Sequence, residues 1–149
     1  MKKIILLVVS TLLALSVAAK PEEQAIEVNQ LPSRAQEFVS IYFGEAPVKK
    51  AIKLTGEGIA VEAYQVVLTN KVQIEFDMVG LWNKIDAKKK KNLMPRFIYP
   101  DKINETLDKN FADKIIKKVE NDGFYYSFDF ANGDDVIINA LGQIMESEK

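Results

Sequence analysis

The sequence predicts an α+β protein of two tandem α-β-β-β-β repeats, which form one roughly eight-stranded antiparallel sheet with two helices on one face. The main observation is an internal repeat. Residues 64–82 alternate apolar and polar side chains in two runs joined by a turn, and a related pattern returns 62 residues later. The matched positions are Tyr64 and Tyr126, Asn70 and Asn132, Asp77 and Asn139, Gly80 and Gly142, and Trp82 and Ile144. A helical pattern precedes each copy and completes the unit.

The first 19 residues are typical of a secretory signal peptide. Two lysines are followed by an apolar run from Ile4 to Val17, and Ala18-Ala19 supplies small residues for cleavage. This run is shorter than the roughly 20 apolar residues that a membrane helix needs, and the chain has no Cys for a lipid anchor. We therefore expect a periplasmic or secreted protein with no membrane anchor after signal cleavage.

The composition excludes several classes of chemistry. The chain has no His and no Cys, so Ser-His-Asp and Cys-His catalysis and the common zinc sites are impossible. Without residues 1–19, 18 basic residues stand against 21 acidic ones, a net charge of −3. This balance offers no basic excess for nucleic acid. We therefore expect a protein that is not an enzyme, requires no cofactor and binds no nucleic acid.

The chain divides into a polar leader at residues 20–30, a first repeat at 31–87, a basic linker at 88–98 and a second repeat at 99–149. Each repeat opens with a proline, which suits the first position of a helix. Apolar residues then recur every four positions: Ala35, Val39 and Phe43 in the first copy, and Ile103, Leu107 and Phe111 in the second. Each pattern predicts a helix with one apolar face.

Four short strands are predicted after each helix. The first of each set, at 47–54 and 114–121, is rich in Lys, which suits an exposed face or a protected sheet edge. The central hairpins alternate apolar and polar residues, as expected for a sheet covered on one side. Asn132-Gly133, and less strongly Asn70-Lys71, predict type I′ turns, in which both central residues have positive φ. The other face of the sheet is then open to solvent.

Three features together carry a resemblance to a known family. They are Leu31-Pro32 opening a helix, the strand Tyr64-x-Val66-x-Leu68-x-Asn70, and the turn Phe76-Asp77-x-x-Gly80-x-Trp82. In this order they resemble the PepSY-like, β-lactamase-inhibitor-protein-like family of bacterial periplasmic proteins. The resemblance implies a periplasmic, non-enzymatic protein, in a family whose members mostly have no established function. The second copy departs from the pattern at Asn139 and Ile144.

Three aromatic residues are candidates for binding a protein: Trp82, Tyr125 and Tyr64. Trp and Tyr are the side chains that interfaces most often use as hot spots. Core packing is the competing interpretation for Trp82, because Trp is usually largely buried. We expect the partner to be another envelope or secreted protein, which includes enzymes. The protein would act as an inhibitor or sensor through its exposed sheet face.

A calcium-regulated envelope protein is the alternative. Asp77, Asp134 and Asp135 offer oxygen ligands, which suit Ca²⁺, although turn chemistry explains Asp at such positions without a metal. A carboxylate hydrolase that uses Glu75 and Asp77 is a third hypothesis, and solvated side chains explain that pair better. The lysines at 88–91 form either a solvated linker or a contact with an anionic surface.

Overall fold

The computed structural model describes residues 21–56 and 61–148 of the chain. Within them lie nine strands, two α-helices and one 3-10 helix at Val28–Gln30. The helices are α1 (Ser33–Phe43) and α2 (Asp101–Asn110). The strands are β1 (Glu22–Ile26), β2 (Val48–Thr55), β3 (Val61–Leu68), β4 (Gln73–Asp77), β5 (Trp82–Asp86), β6 (Ile116–Asn121), β7 (Tyr125–Phe130), β8 (Asp135–Asn139) and β9 (Ile144–Glu148). The predicted signal peptide lies outside the described residues.

The strands form one antiparallel sheet in which each strand pairs with the next in the sequence. The connection from β1 to β2 carries α1, and the connection from β5 to β6 carries α2. Each half therefore consists of one helix followed by four strands, which confirms the predicted α+β fold. The leader contributes β1 at the edge of the sheet, which makes nine strands where roughly eight were predicted. The internal duplication of the sequence stays a prediction.

One hydrophobic core lies between the two helices and one face of the sheet. The helices contribute Ala35, Val39, Ile103 and Leu107, all of which are buried. The sheet contributes alternate residues of its central strands, chiefly Val66, Leu68, Ile74, Phe76, Ile85, Val119, Phe128, Val136 and Ile138. Since a strand that slipped by one residue would turn this set to solvent, burial of the core determines the register of the pairing.

Four hairpins of the sheet share one loop geometry. In each loop a pair of residues joined by a backbone hydrogen bond encloses three residues. Only the last of the three has a positive φ, namely Lys71, Gly80, Gly133 or Gly142. In one loop the Gly133 N–H donates to the Phe130 carbonyl at 3.1 Å, and the Phe130 N–H donates to the Asp134 carbonyl at 2.9 Å. The type I′ prediction is wrong, because Asn70 and Asn132 do not have positive φ. The observed form is a three-residue loop with one left-handed residue.

The two helices begin against two of these loops. A Cβ atom on Gly80 would lie 2.8 Å from Cβ of Pro32, and one on Gly142 would lie 2.6 Å from the carbonyl oxygen of Lys102. The loops at 78–80 and 140–142 therefore lie with the helix N-termini at one end of the sheet, here called the helix-start end. The loops at 69–71 and 131–133 lie at the opposite end with the start of the linker, here called the linker end. Among the described residues, no helix is long and apolar enough to cross a membrane.

Candidate functional site

A row of side chains crosses the middle of the sheet on the face opposite the helices. The register places Glu75, Lys84, Glu120, Ser127 and Ile137 beside one another on β4 to β8. At least one chain neighbour of each residue is buried in the core. Because successive side chains of a strand alternate between faces, the row lies on the uncovered face.

This row lines a hollow of about 450 Å³, here called the sheet hollow. Asn83, Asp122 and Tyr125 also line it, so the charged lining consists of three carboxylates and one lysine. The uncovered face is therefore concave at its centre and carries a net negative charge there. A concave surface with several convergent polar groups and an aromatic side chain is the usual form of a binding site.

Ion pairs link the charged residues of this face into a ladder. Lys84 Nζ lies 3.9 Å from Glu75 Oε1 and 3.4 Å from Glu120 Oε1. Lys118 Nζ lies 3.4 Å from Glu120 Oε1 and 2.9 Å from Asp129 Oδ2. Partial burial tends to raise the pKa of Glu120, but the two lysines outweigh it and the pKa is lowered. The hydrogen bond to Asp129 raises the pKa of Lys118. Both shifts favour the charged forms of Glu120 and Lys118.

Tyr125 forms the aromatic rim of the sheet hollow. Its side chain is 43% exposed and packs against the ring of Phe124, with centroids 4.8 Å apart and planes nearly perpendicular. Asp122 holds this pair, because its Oδ1 accepts the N–H groups of Phe124 at 2.9 Å and Tyr125 at 2.8 Å. These hydrogen bonds, first that of Tyr125, lower the pKa of Asp122. The rim is thus fixed in position while its rings stay accessible.

Trp82 and Tyr64, the other two predicted binding residues, lie on the covered face. The Trp82 ring packs 6.1 Å from Phe38, 6.2 Å from Tyr99 and 6.3 Å from Tyr126. Tyr64 is partly buried against the same core. Of the three candidates, only Tyr125 therefore lies on the exposed sheet face through which binding was expected.

A shift in strand pairing explains the position of Trp82. Glu75 pairs with Lys84 while Phe76 pairs with Trp82, so Asn83 is an extra residue in β5. Strict alternation would place Trp82 on the same face as Lys84. The extra residue reverses this and turns Trp82 toward the helices, as β-bulges do.

Asp77, one of the three predicted calcium ligands, has a structural role in its loop. Its Oδ1 accepts the backbone N–H groups two and four residues further on, at 3.0 and 2.9 Å. Asn139 makes the same two hydrogen bonds at 3.1 and 3.0 Å in the corresponding loop of the second half. Because a neutral amide satisfies this loop equally, the position requires an oxygen acceptor and not a charge.

The other two predicted ligands, Asp134 and Asp135, lie at the linker end, whereas Asp77 lies at the helix-start end. The three carboxylates therefore cannot share one ion. Asp134 Oδ2 accepts hydrogen bonds from Lys114 Nζ at 2.5 Å and Asn132 Nδ2 at 2.9 Å. Within residues 21–56 and 61–148, no group of three or more His, Cys, Asp and Glu side chains could hold a metal ion.

The ladder was not identified from the sequence. Its members come from four strands, and the charges that meet across strands are far apart in the chain. The sequence offered one signal for the ladder, the two-residue spacing that places Lys118 and Glu120 on the same face of one strand. This spacing indicates an ion-pair ladder only when the pairing of the neighbouring strands is known.

The fold and the site define a small α+β protein with one covered and one concave, uncovered sheet face. Residues 62–146 match the model of the PepSY-like family, described as β-lactamase-inhibitor-like. The match spans more than half of the chain, so the chain belongs to this family, as the sequence resemblance predicted. That description names an inhibitor-like fold and no catalysed reaction. No curated protein matches the chain.

Solved structures of periplasmic proteins from Bacteroides have the same fold. One from Bacteroides vulgatus is 27% identical with a TM-score of 0.77, and the alignment covers 88% of this chain and 100% of that one. One from Bacteroides thetaiotaomicron, described as a candidate calcium-regulated periplasmic protein, is 25% identical with a TM-score of 0.76, covering 85% and 97%. A second Bacteroides vulgatus protein of unknown function, 23% identical with a TM-score of 0.76 and covering 86% and 100%, shows the fold alone. The first two neighbours confirm the predicted periplasmic or secreted location.

Proposed function

We propose that the protein is a non-enzymatic periplasmic binding protein that receives a protruding segment of another envelope or secreted protein in the sheet hollow. The observation that carries this proposal is the concave centre of the uncovered face, with Tyr125 exposed on its rim. Nine strands at about 4.8 Å spacing give a platform roughly 40 Å wide. A platform of that width can supply the roughly 800 Å² that one partner contributes to a stable interface.

The charge of the sheet hollow indicates the chemistry of the partner segment. Glu75, Glu120 and Asp122 outnumber Lys84 in the lining, so a segment with basic side chains is favoured over an acidic one. The ring of Tyr125 can add a cation–π contact with such a side chain. The ion pairs already order the long side chains of the face, which reduces the entropy lost on binding.

The mechanism is steric. A partner segment that occupies the sheet hollow is withheld from its own ligands, so binding to a segment beside an active site would inhibit an enzyme. The chain needs no catalytic group for this role, which agrees with the complete absence of His and Cys.

The test compares partner capture by two single variants. Tyr125→Ala removes the exposed rim, and Phe97→Ala removes an aromatic side chain that is 89% exposed in the linker. A partner captured from periplasmic extract should be identified, purified and titrated against each form. Loss of a hot-spot aromatic weakens binding by roughly 30-fold, so we expect this effect for Tyr125→Ala and near-native affinity for Phe97→Ala. Equal affinities for all three forms would reject the sheet hollow as the site.

A calcium-regulated role is a second candidate function, favoured by the description of the Bacteroides thetaiotaomicron neighbour. The described residues hold no cluster of three or more carboxylates that could bind the ion, so this role rests on that description alone. Millimolar Ca²⁺ should then raise the melting temperature by mass action. A melting temperature unchanged by calcium would exclude this role.

A further inference from the structure

The linker between the two halves combines exposed cations with exposed apolar side chains. Residues 87–100 contain five cationic side chains and no acidic one. The four lysines at 88–91 are all exposed. Leu93 and Phe97, which follow them, are 78% and 89% exposed. They are the two most exposed large apolar side chains among the described residues.

Most of this positive charge is not neutralised. Lys88 Nζ lies 2.8 Å from Asp86 Oδ2, and Arg96 pairs with Asp108 on α2. In the part of the chain that the structure describes, no ion pair involves the lysines at 89–91. Three neighbouring cations are therefore free to attract an anionic surface.

The apolar part of the linker adjoins the end of α1. Leu93 lines a hollow of about 470 Å³ together with Ile41 and Tyr42 from the last turn of that helix. Ile41 is itself 63% exposed. Asn92 Nδ2 donates to the Asn70 carbonyl at 3.0 Å, which holds the linker against the loop at 69–71. The lysines directly precede Asn92 and Leu93 in the chain, so they lie next to this apolar surface.

This surface, here called the linker patch, consists of Ile41, Tyr42, Lys71, the lysines at 88–91 and Leu93. Lys71 is exposed in the adjoining loop. The acidic residue that faces the hollow is Glu45, so cations clearly dominate. The linker patch lies at the linker end and shares no residue with the sheet hollow.

We infer that the linker patch binds the anionic surface of a lipid bilayer. Stable attachment of a protein to a membrane surface generally needs two signals, apolar side chains that enter the interface and basic side chains that meet acidic head groups. The linker patch provides both, and a periplasmic location places it beside phospholipid. A soluble anionic polymer would engage the lysines alone and leave Leu93 and Ile41 in water.

The test measures partitioning of protein purified from the periplasm onto vesicles of equal parts phosphatidylglycerol and phosphatidylcholine, with pure phosphatidylcholine vesicles for comparison. Each lysine near an anionic surface contributes roughly fivefold to binding. Lys90→Gln/Lys91→Gln should therefore weaken partitioning at least about tenfold. The control Arg34→Gln/Lys102→Gln removes the same charge at the helix-start end, where both residues are exposed, and should change little.

A third variant, Leu93→Ser, tests the apolar signal and should weaken partitioning several-fold even at high salt. Equal binding to both kinds of vesicle, or an equal loss in the control variant, would overturn the inference. Insensitivity to Leu93→Ser would also overturn it and would indicate a site for a soluble polyanion. Binding through the N-terminal apolar segment would be the same in every variant and would count against the linker patch.

Discussion

At the residue scale, the left-handed positions of the hairpin loops constrain which residues the sequence can place there. Gly80 and Gly142 have φ values of +88° and +82°, and the start of a helix presses against each. Gly133 has a φ of +99°, but a Cβ atom added there would meet no other atom within 4 Å. Gly133 therefore has the positive φ without a packing constraint, whereas Gly80 and Gly142 have both. The cost of the backbone conformation and the cost of the steric contact can thus be measured separately.

Gly142→Ala should destabilise the protein more than Gly133→Ala. A non-glycine residue in the left-handed region costs about 1 to 2 kcal/mol, and this is the whole expected effect at Gly133. At Gly142 the added methyl group also meets the Lys102 carbonyl oxygen, and overpacking adds roughly 1 to 3 kcal/mol. Urea denaturation of both variants would measure the difference. Equal losses would show that α2 does not press on this loop.

Trp82→Ala and Tyr125→Ala should separate the core aromatics from the exposed ones. Truncation of a packed aromatic residue costs about 3 to 5 kcal/mol, and the contacts of Trp82 with three other rings place it in this class. Tyr125 lies at the surface, where most substitutions change stability by about 0.5 kcal/mol or less. Thermal melts of both variants provide the comparison. A larger loss for Tyr125→Ala would reverse the assignment of the two faces.

At the element scale, the central strands are joined by packing on one face and by the ion-pair ladder on the other. Glu120 lies at the centre of the ladder, between Lys84 and Lys118. Its pKa is lowered below the ordinary value of 4.5. The charged form is therefore favoured by folding, and its contribution to stability is present above that pH. The contribution is lost as the pH falls through the folded-state pKa.

Glu120→Gln should make stability less dependent on pH below about pH 5. The native protein should lose stability on acidification more steeply than the variant, because only the native protein must protonate this carboxylate. The partners are partly exposed, so the difference should stay below about 1 kcal/mol. Glu146→Gln removes the same charge on β9, outside the ladder, and serves as the control in urea titrations from pH 7 to about pH 3. Parallel curves for native protein and Glu120→Gln would contradict the ladder.

Helices and central strands were largely predictable, whereas the sequence did not decide whether the leader would pair as an edge strand. The helices that were predicted to open at Leu31-Pro32 and Tyr99-Pro100 are found at Ser33–Phe43 and Asp101–Asn110. They could be predicted because periodic apolar residues encode a buried helix face. Strand β1 is almost entirely exposed and has no such pattern. It forms through backbone pairing with β2, and backbone groups carry no sequence signal.

At the scale of the whole molecule, both halves share one core. Buried residues from β3 and α1 belong to the same cluster as those from β7 and α2. Trp82 in the first half contacts Tyr99 and Tyr126 in the second. Because a small unit buries too little area to be stable alone, each half gains stability by sharing this core.

We expect the two halves to unfold in a single transition. Phe128→Ala, in the second half, should lower the melting temperature seen by fluorescence of Trp82, the only Trp of the chain, and by far-ultraviolet circular dichroism to the same extent. Phe76→Ala is the matched change in the first half, since both side chains are fully buried. Separate transitions, or a Trp82 signal indifferent to Phe128→Ala, would show that the halves are independent.

The sequence by itself determined the fold class, the helices, the central strands, the family and the exclusion of His- and Cys-based chemistry. These features depend on local periodicity and on composition. Only the tertiary structure decided that Tyr125 faces outward while Trp82 faces the helices, that Asp77 and Asp134 lie at opposite ends, and that Glu120 meets two lysines. Each of these depends on pairing between distant strands, where one extra residue such as Asn83 reverses the face of its neighbour. Local pattern cannot encode that choice, because burial of the shared core selects the register.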